Sequence, residues 1–549
     1  MRFLPLFLLA CENEEVADET PPSGVLSLDT PAQGDFTEEG QVNARGAAEF
    51  VSDVLVNGNA TKPNGGVFDT KIDLERGVNV VEVSAIDGNS QTLFVRNAVL
   101  AGDFKSADDA VEEAIFLRVN EGGFRRIGEI AEGALTSQFV NESLSGMNPV
   151  YSDSYGAFGW DAVTIAANID SITFDTPSFD FEPRDGAIDL MATLPNLYVD
   201  IYAWGEAVGF DFDSDVAIGA SSAVLTATLG VTAENGKLDI ELSNAAIVLN
   251  GFWYNTDLLP STVTDYLLVD TIRATIEEML VAKIEEMVPS LLDETLSGLD
   301  PSFSTELMGL TVDIEFEFAN AEIDEDGIAL TLDMDVAVPP TGQKDAPGFL
   351  RSDLGTPDVD THADVSGAVS DNLLNRVLFE VWAGGLLDLR LSTDDGTLDP
   401  LILVPLKAET GTIEIEALLP PVVVERDGNL QAQIGELVVN IDTPGGALGD
   451  HLQASVTAFV ELEVQIEDGA LVLAMGDPEL VLMVRENAMG ASNETATNIV
   501  AQVVPIDALL LLLGDFSFPL PSLYGITIDE GTATRDESGV YTGIEISLE

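Results

Sequence analysis

Residues 258–299 carry the one long helical pattern in a chain that otherwise reads as strand, and this imbalance limits what it can fold into. Apolar residues recur at Ile272, Ile276, Met279, Leu280, Ile284, Met287, Val288, Leu291 and Leu292, the three-and-four spacing of one helical face. Arg273, Glu277, Glu278, Lys283, Glu285 and Glu286 fall on the other side. Pro289 is expected to kink the helix, because proline removes a backbone donor and crowds the preceding turn. A striped helix of this length must bury its face, and the strands around it offer a sheet. Function then depends on whether that contact is filled by protein or leaves room for a ligand.

At 549 residues the chain is too long for one core, and its 46% apolar content marks it as globular. Asp and Glu total 96 against 22 Lys and Arg, a formal charge of −74. Such a field repels nucleic acid, which needs a basic surface, and anionic lipid headgroups as well. The single cysteine, Cys11, excludes an intrachain disulfide and a cysteine-based zinc site. Two histidines occur, His362 and His451, both in polar, loop-like context. No HExxH, GxSxG or P-loop pattern is present. The reading is of a protein without catalytic residues, cofactor or metal.

The chain opens MRFLPLFLLAC. A basic residue, an apolar run too short to span a bilayer and then Leu8-Leu9-Ala10-Cys11 read as a secretory signal. The last four residues resemble a bacterial lipobox, in which the cysteine is lipidated. An acidic spacer follows. The resemblance implies a lipid anchor at Cys11 in the bacterial cell envelope, and Glu12 after the cysteine implies the outer membrane.

Residues 23–102 read as a small β domain, with strands at 24–28, 53–56, 78–85 and 91–95 between Gly/Asn/Asp turns. The segment VLVNGNATKPNGGVFDTKIDLERGVNVVEVSAIDGNSQT is similar to bacterial Ig-like modules, whose usual role is that of a spacer. At residue 111 the texture changes. A strand at 114–119, a glycine turn at Gly122-Gly123 and a helix bearing Phe124, Ile127, Ile130, Ala131, Ala134, Leu135 and Phe139 on one side are expected. A meander follows, with strands at 171–174, 187–194, 197–203, 206–212, 222–231 and 237–249. The long helix comes next, then two strands over 310–337 around the turn Asp324–Gly327. That acidic turn has the wrong spacing for an EF-hand loop.

This stretch resembles the lipid-binding proteins related to bactericidal/permeability-increasing protein, the tubular lipid-binding (TULIP) superfamily. Arg118-Val119, Gly123 and Gly133 match the family's opening strand, turn and helix. Residues 338–363 are rich in Pro and Gly and read as a connector, and then the pattern restarts. Residues 369–391 read as a helix with Leu373, Leu374, Val377, Leu378 and Val381 on one face, running into Gly384-Gly385 and a strand, and Ser370-Asp371 and Gly385 match the opening of the family's second barrel. Strands are expected at 411–418, 430–441, 453–466 and 471–484, then an apolar stretch at 497–513. The ending FPLP at 518–521 is similar to the family's C-terminal turn and hairpin.

The resemblance implies an α+β fold, two tandem TULIP-type barrels behind a small all-β Ig-like sandwich. Each barrel is a twisted antiparallel sheet wrapped around a long helix. The division is 1–11 signal and lipobox, 12–22 tether, 23–102 sandwich, 111–340 first barrel, 341–363 connector and 364–549 second barrel. It implies a phospholipid or other acyl lipid as partner, with no nucleic acid, and a membrane reached through lipidated Cys11. Residues expected to line an acyl channel are Phe124, Ile127, Ile130, Ala131, Ile276, Leu280 and Ile284 in the first barrel. In the second they are Leu374, Val377, Leu378, Val381, Val503 and Val504. Two competing readings are a structural or adhesive surface lipoprotein with filled barrels, and an envelope enzyme whose site gathers acids around His362 or His451. Cys11→Ser is expected to move the protein from the membrane to the soluble fraction on cell fractionation. Unchanged membrane association contradicts the anchor.

Overall fold

The computed structural model describes residues 24–546 apart from 143, 145–147, 158–159, 208–209, 257–268, 298, 301, 308–309, 338–343, 354, 356, 358, 360–361, 448, 468–469, 489, 491, 504–516, 520–531 and 537–538. Cys11 and the tether therefore lie outside the described residues.

Residues 25–101 form two facing sheets, one of three strands and one of five. The strand Gly77–Asp87 alternates as a half-buried strand should, placing Val81, Val83 and Ala85 inward against Phe68, Val54 and Val56. Two strands of this domain, Gln41–Glu49 and Val67–Asp73, lack a clear apolar alternation and escape the sequence reading.

Among the described residues four α-helices and a shorter one punctuate the remaining sheets: α1 (Glu121–Ala134), α2 (Ser137–Glu142), α3 (Val269–Ser297), α4 (Asp371–Ala383) and α5 (Asn493–Val503). The strand Val111–Asn120 runs directly into α1, and Val365–Ser370 runs directly into α4. Each is followed by a meander, a second helix and returning strands, so the fold repeats. The two halves share one seven-stranded sheet. In it Val111–Asn120 pairs with Gly327–Ala337 on one edge (Leu117 opposite Leu330) and with Val365–Ser370 on the other (Leu117 opposite Gly367). A strand paired on both edges and covered on both faces explains the near-continuous apolar run of AIFLRV.

Each half also has its own curled antiparallel sheet. The first is dominated by Ala187–Ala207 and Phe210–Glu234, paired from Ile188–Leu229 to Ala207–Phe210. The second is built on Asn429–Asp442 and His451–Glu467.

Several expected boundaries change for physical reasons. The segments 187–194 and 197–203 are one 21-residue strand. Pro195 opposes Ser222 and Leu197 opposes Ala220, so the register runs on unshifted past Asn196, which takes φ 52°. The expected strand 206–212 instead straddles the end of one strand and the start of the next. The expected strand 471–484 is two, Ala470–Met475 and Glu479–Asn487, on either side of Gly476-Asp477-Pro478. Phe139 belongs to α2, not to α1. Within 369–391 the helix is α4, Ser370 is still extended, Gly385 takes φ 76° just past the helix end, and the strand Leu389–Ser392 follows. Pro289 sits within α3, which continues through it. The connector contributes a strand, Phe349–Arg351, paired with Asp103–Lys105.

The β-sandwich is packed against the second half rather than spaced from it. Val78, Ala98 and Leu100, on the back of the five-stranded sheet, meet Leu350, Leu419, Val422 and Val424. Polar pins cross the same contact. The Val78 N–H donates to Gln433 Oε1 (2.6 Å) and the Ala98 N–H to Glu436 Oε2. Arg485 donates to Asn97 Oδ1 (3.0 Å) and to Glu436 Oε1 (2.9 Å). Glu436 is 2% exposed and depends on Arg485 for its counter-charge. Removing one member of a buried ion pair costs about 3–5 kcal/mol. Arg485→Met is therefore expected to lower the melting temperature and speed proteolysis of the sandwich, and adding Glu436→Gln is expected to recover part of the loss. An unchanged melt for Arg485→Met contradicts this view of the contact.

Candidate functional site

α1 is fixed by the strand before it. The Asn120 side chain donates to the Ala363 carbonyl (2.8 Å) and accepts from Arg118 Nε (2.9 Å), and Arg118 also binds Asp324. Burial works against the charged Asp324 carboxyl. The hydrogen bond from Arg118 and those from the backbone of Asp326 and Gly327 outweigh it and hold the group below its usual range. The acidic turn is thus a capped hairpin. Gly122 and Gly123 do not form the expected turn. They lie in the first turn of α1, and a Cβ on Gly122 would lie 1.9 Å from Asp364 Oδ1, so glycine lets the helix start touch a segment distant in sequence. At Gly128 a Cβ would lie 2.7 Å from the Phe179 carbonyl, which sets α1 directly on the strand Ser178–Arg184.

That seating sends Phe124, Ile127 and Ala131 into the core, all fully buried, with the Phe124 and Phe181 rings 6.4 Å apart. Ile130 is only partly buried, at the margin of the same core. On α3, Ile276, Leu280 and Ile284 join them, together with Met279, Val288 and Leu292. The polar side of α3 is held by Arg273 to Glu277 (2.9 Å), and the Arg273 and Lys283 cations lie over Phe252 and Phe139.

In the second half, α4 is buried on more than its apolar face. Val377 and Val381 are in the core, Leu374 and Leu378 are partly buried against it, and Phe379 and Trp382 are buried too. The surrounding polar side chains brace the helix. Asn375 accepts from the Val423 N–H (2.6 Å) and donates to the Val423 carbonyl (3.0 Å), and Asn372 does the same for Ser352. Asp371 is paired with both terminal nitrogens of Arg535 (2.7 and 2.9 Å). Burial pushes its carboxyl up to about 6 against that pull. Burial likewise lowers the Arg376 guanidinium, with Asp335 acting the other way. These polar residues were not foreseen as structural; the asparagines three apart in NLLN are the only hint. Val503, at the end of α5, is buried, and Val504 lies outside the described residues.

The expected lining residues of both halves that are described thus meet in one continuous apolar core. One place where that core comes towards the surface lies at the edge of the first curled sheet. On Phe210–Glu234 the inward residues Ala223, Leu225, Ala227 and Leu229 are buried, whereas on its neighbour Lys237–Asn250 the inward Ile240, Leu242, Ala245 and Ile247 are only half-buried. Phe252, just past the end of that strand, and Val281 of α3 complete this apolar margin. The alternation in KLDIELSNAAIVLN could have pointed to it.

Other chemistry is sparse among the described residues. His451 Nδ1 lies 2.7 Å from its cross-strand partner Asp442, with Glu486 at 3.8 Å from Nε2. No group of three or more His, Cys, Asp or Glu is placed to hold a metal among the described residues. No helix among them is long and apolar enough to cross a membrane.

No protein-family model and no curated protein matches this chain. Among solved structures it is similar to a lipopolysaccharide binding protein at 10% identity and a TM-score of 0.45, covering 80% of this chain and 99% of that one. It is also similar to P47 of Clostridium botulinum E1 at 10% identity and a TM-score of 0.28, covering 80% of this chain and 100% of that one.

Proposed function

We propose that this protein binds acyl lipid in the apolar interior between its helices and curled sheets. The observation that carries the reading is the half-open apolar margin along Lys237–Asn250 and α3, continuous with a core that runs through both halves. Burying methylenes stabilises a bound chain by roughly 0.8 kcal/mol each, and no catalytic group is needed. An acyl chain entering at Ile240, Leu242 and Ile247 would reach Ile276, Leu280 and Ile284, with Phe124, Ile127, Ile130 and Ala131 behind them. Leu374, Val377, Leu378, Val381, Val503 and Val504 are the corresponding residues proposed for the second half.

In this reading the chain is an envelope lipoprotein of the outer membrane, tethered through Cys11, with two TULIP-like barrels behind an Ig-like module. The acidic surface argues for neutral or zwitterionic cargo, since anionic headgroups would meet repulsion. A second reading, a structural or adhesive surface lipoprotein, draws support from the complete burial of Phe124, Ile127, Ile276 and Leu280. Such tight packing leaves a ligand to open its own space.

Native mass spectrometry with lipid extraction, on protein purified from its own host, separates the two. One or two phospholipids per chain are expected. An empty chain with both halves folded refutes lipid carriage and leaves the structural role.

A further inference from the structure

The outer face of the first curled sheet has a different chemistry from its core. Along Ala187–Ala207, Val199, Ile201 and Ala203 point inward, while Tyr202 and Trp204 point away with their rings stacked at 5.7 Å and planes 24° apart. Tyr202 is 36% exposed. Beside the pair lies an open hollow of about 700 Å³, lined also by Asn168, Glu206, Asp211 and Asp213. Strand register builds it: Glu206 faces Asp211, Trp204 faces Asp213 and Tyr202 faces Asp215 on one side, with Asn168 opposite Tyr202 on the other.

Like charges directly opposed across a strand pair destabilise it, and Glu206 with Asp211 is such a pair. Asp213 and Asp215 continue the row of carboxylates. None of the four is ion-paired among the described residues. Asn168 keeps its Oδ1 buried without a hydrogen-bond partner. A cation held in the hollow would relieve this repulsion. A small metal ion suits it poorly, because hard cations need six or more oxygen ligands and aromatic faces supply none. Aromatic faces do hold organic cations, whose apolar shell rests on the ring while the charge meets its negative face.

We infer that the Tyr202–Trp204 hollow binds an organic ammonium group, the two rings taking its apolar shell and Glu206, Asp211 and Asp213 its charge. Two carriers present such an ammonium, a free amine and the headgroup of a zwitterionic phospholipid. The site lies on the opposite face of the sheet from the apolar core, so it stands independently of lipid carriage there.

Calorimetric titration of the full chain with choline chloride tests it, alongside vesicles of phosphatidylcholine and of phosphatidylglycerol. Choline is expected to bind, more weakly as sodium chloride rises. Trp204→Ala is expected to raise Kd about tenfold, Trp204→Phe to restore part of the affinity, and Asp213→Asn to weaken it several-fold. All three should melt like the parent, since these side chains lie outside the core. If phosphatidylcholine vesicles bind and Trp204→Ala abolishes this, the carrier is a lipid headgroup. If only choline binds, the carrier is a free amine, and either result sustains the site. Absence of choline binding at millimolar concentration overturns the inference. So does binding that Trp204→Ala leaves unchanged, or calcium binding lost in Asp211→Asn where choline fails.

Discussion

Hydrogen bonding of Val111–Asn120 along both of its edges is the contact on which the two halves depend. This strand is paired with the returning strand of its own half and with the opening strand of the other. Each helix that follows an opening strand starts without a loop, so the sheet dictates where α1 and α4 lie. From that placement follow the burial of Phe124 and Ile127 on one side and of Val377 and Val381 on the other. The shared sheet therefore sets the geometry of the interior on both sides at once. The buried Asn120 and Asn375 hold backbone groups that would otherwise lose water without a substitute, and the buried Asp371 does the same for the Arg535 guanidinium.

Much of this order was legible in the sequence because it rests on periodicity. The stripe on α3 and the alternation of Gly77–Asp87 each reflect one buried face, and such patterns survive translation from sequence to structure. Where neither face is free the pattern disappears. α4 is buried on several sides and its asparagines read as surface residues, although they grip Val423 and Ser352. Glycines misled in another way. Gly122 and Gly123 suggested a turn, but their role is to let α1 approach Asp364, a distant neighbour that no local pattern can reveal. The docking of the sandwich onto Glu436 and Arg485 was hidden for the same reason, since its partners lie more than 300 residues apart.

For the site, the sequence located the helix faces but not the place where they meet solvent. Phe124, Ile127, Ile276 and Ile284 are deep in the core, whereas the apolar margin falls on Lys237–Asn250, a strand expected at 237–249 but with no residue among the expected channel liners. An edge strand has one paired side, so its inward residues lack the second neighbour that would cover them. This incomplete cover, next to a core built from aliphatic side chains, distinguishes the interior from an ordinary closed one. The acidic surface keeps such a margin soluble, because a net charge far from zero opposes association between copies.

The central claim is that acyl chains enter at this margin and reach α1 and α3. The most direct measurement is photo-crosslinking with a diazirine-bearing fatty acid, followed by mapping of the modified peptides. The account predicts adducts on 237–250, 269–297 and 121–134, competed away by unlabelled fatty acid. Adducts scattered over exposed surface, or resistant to that competition, would contradict it.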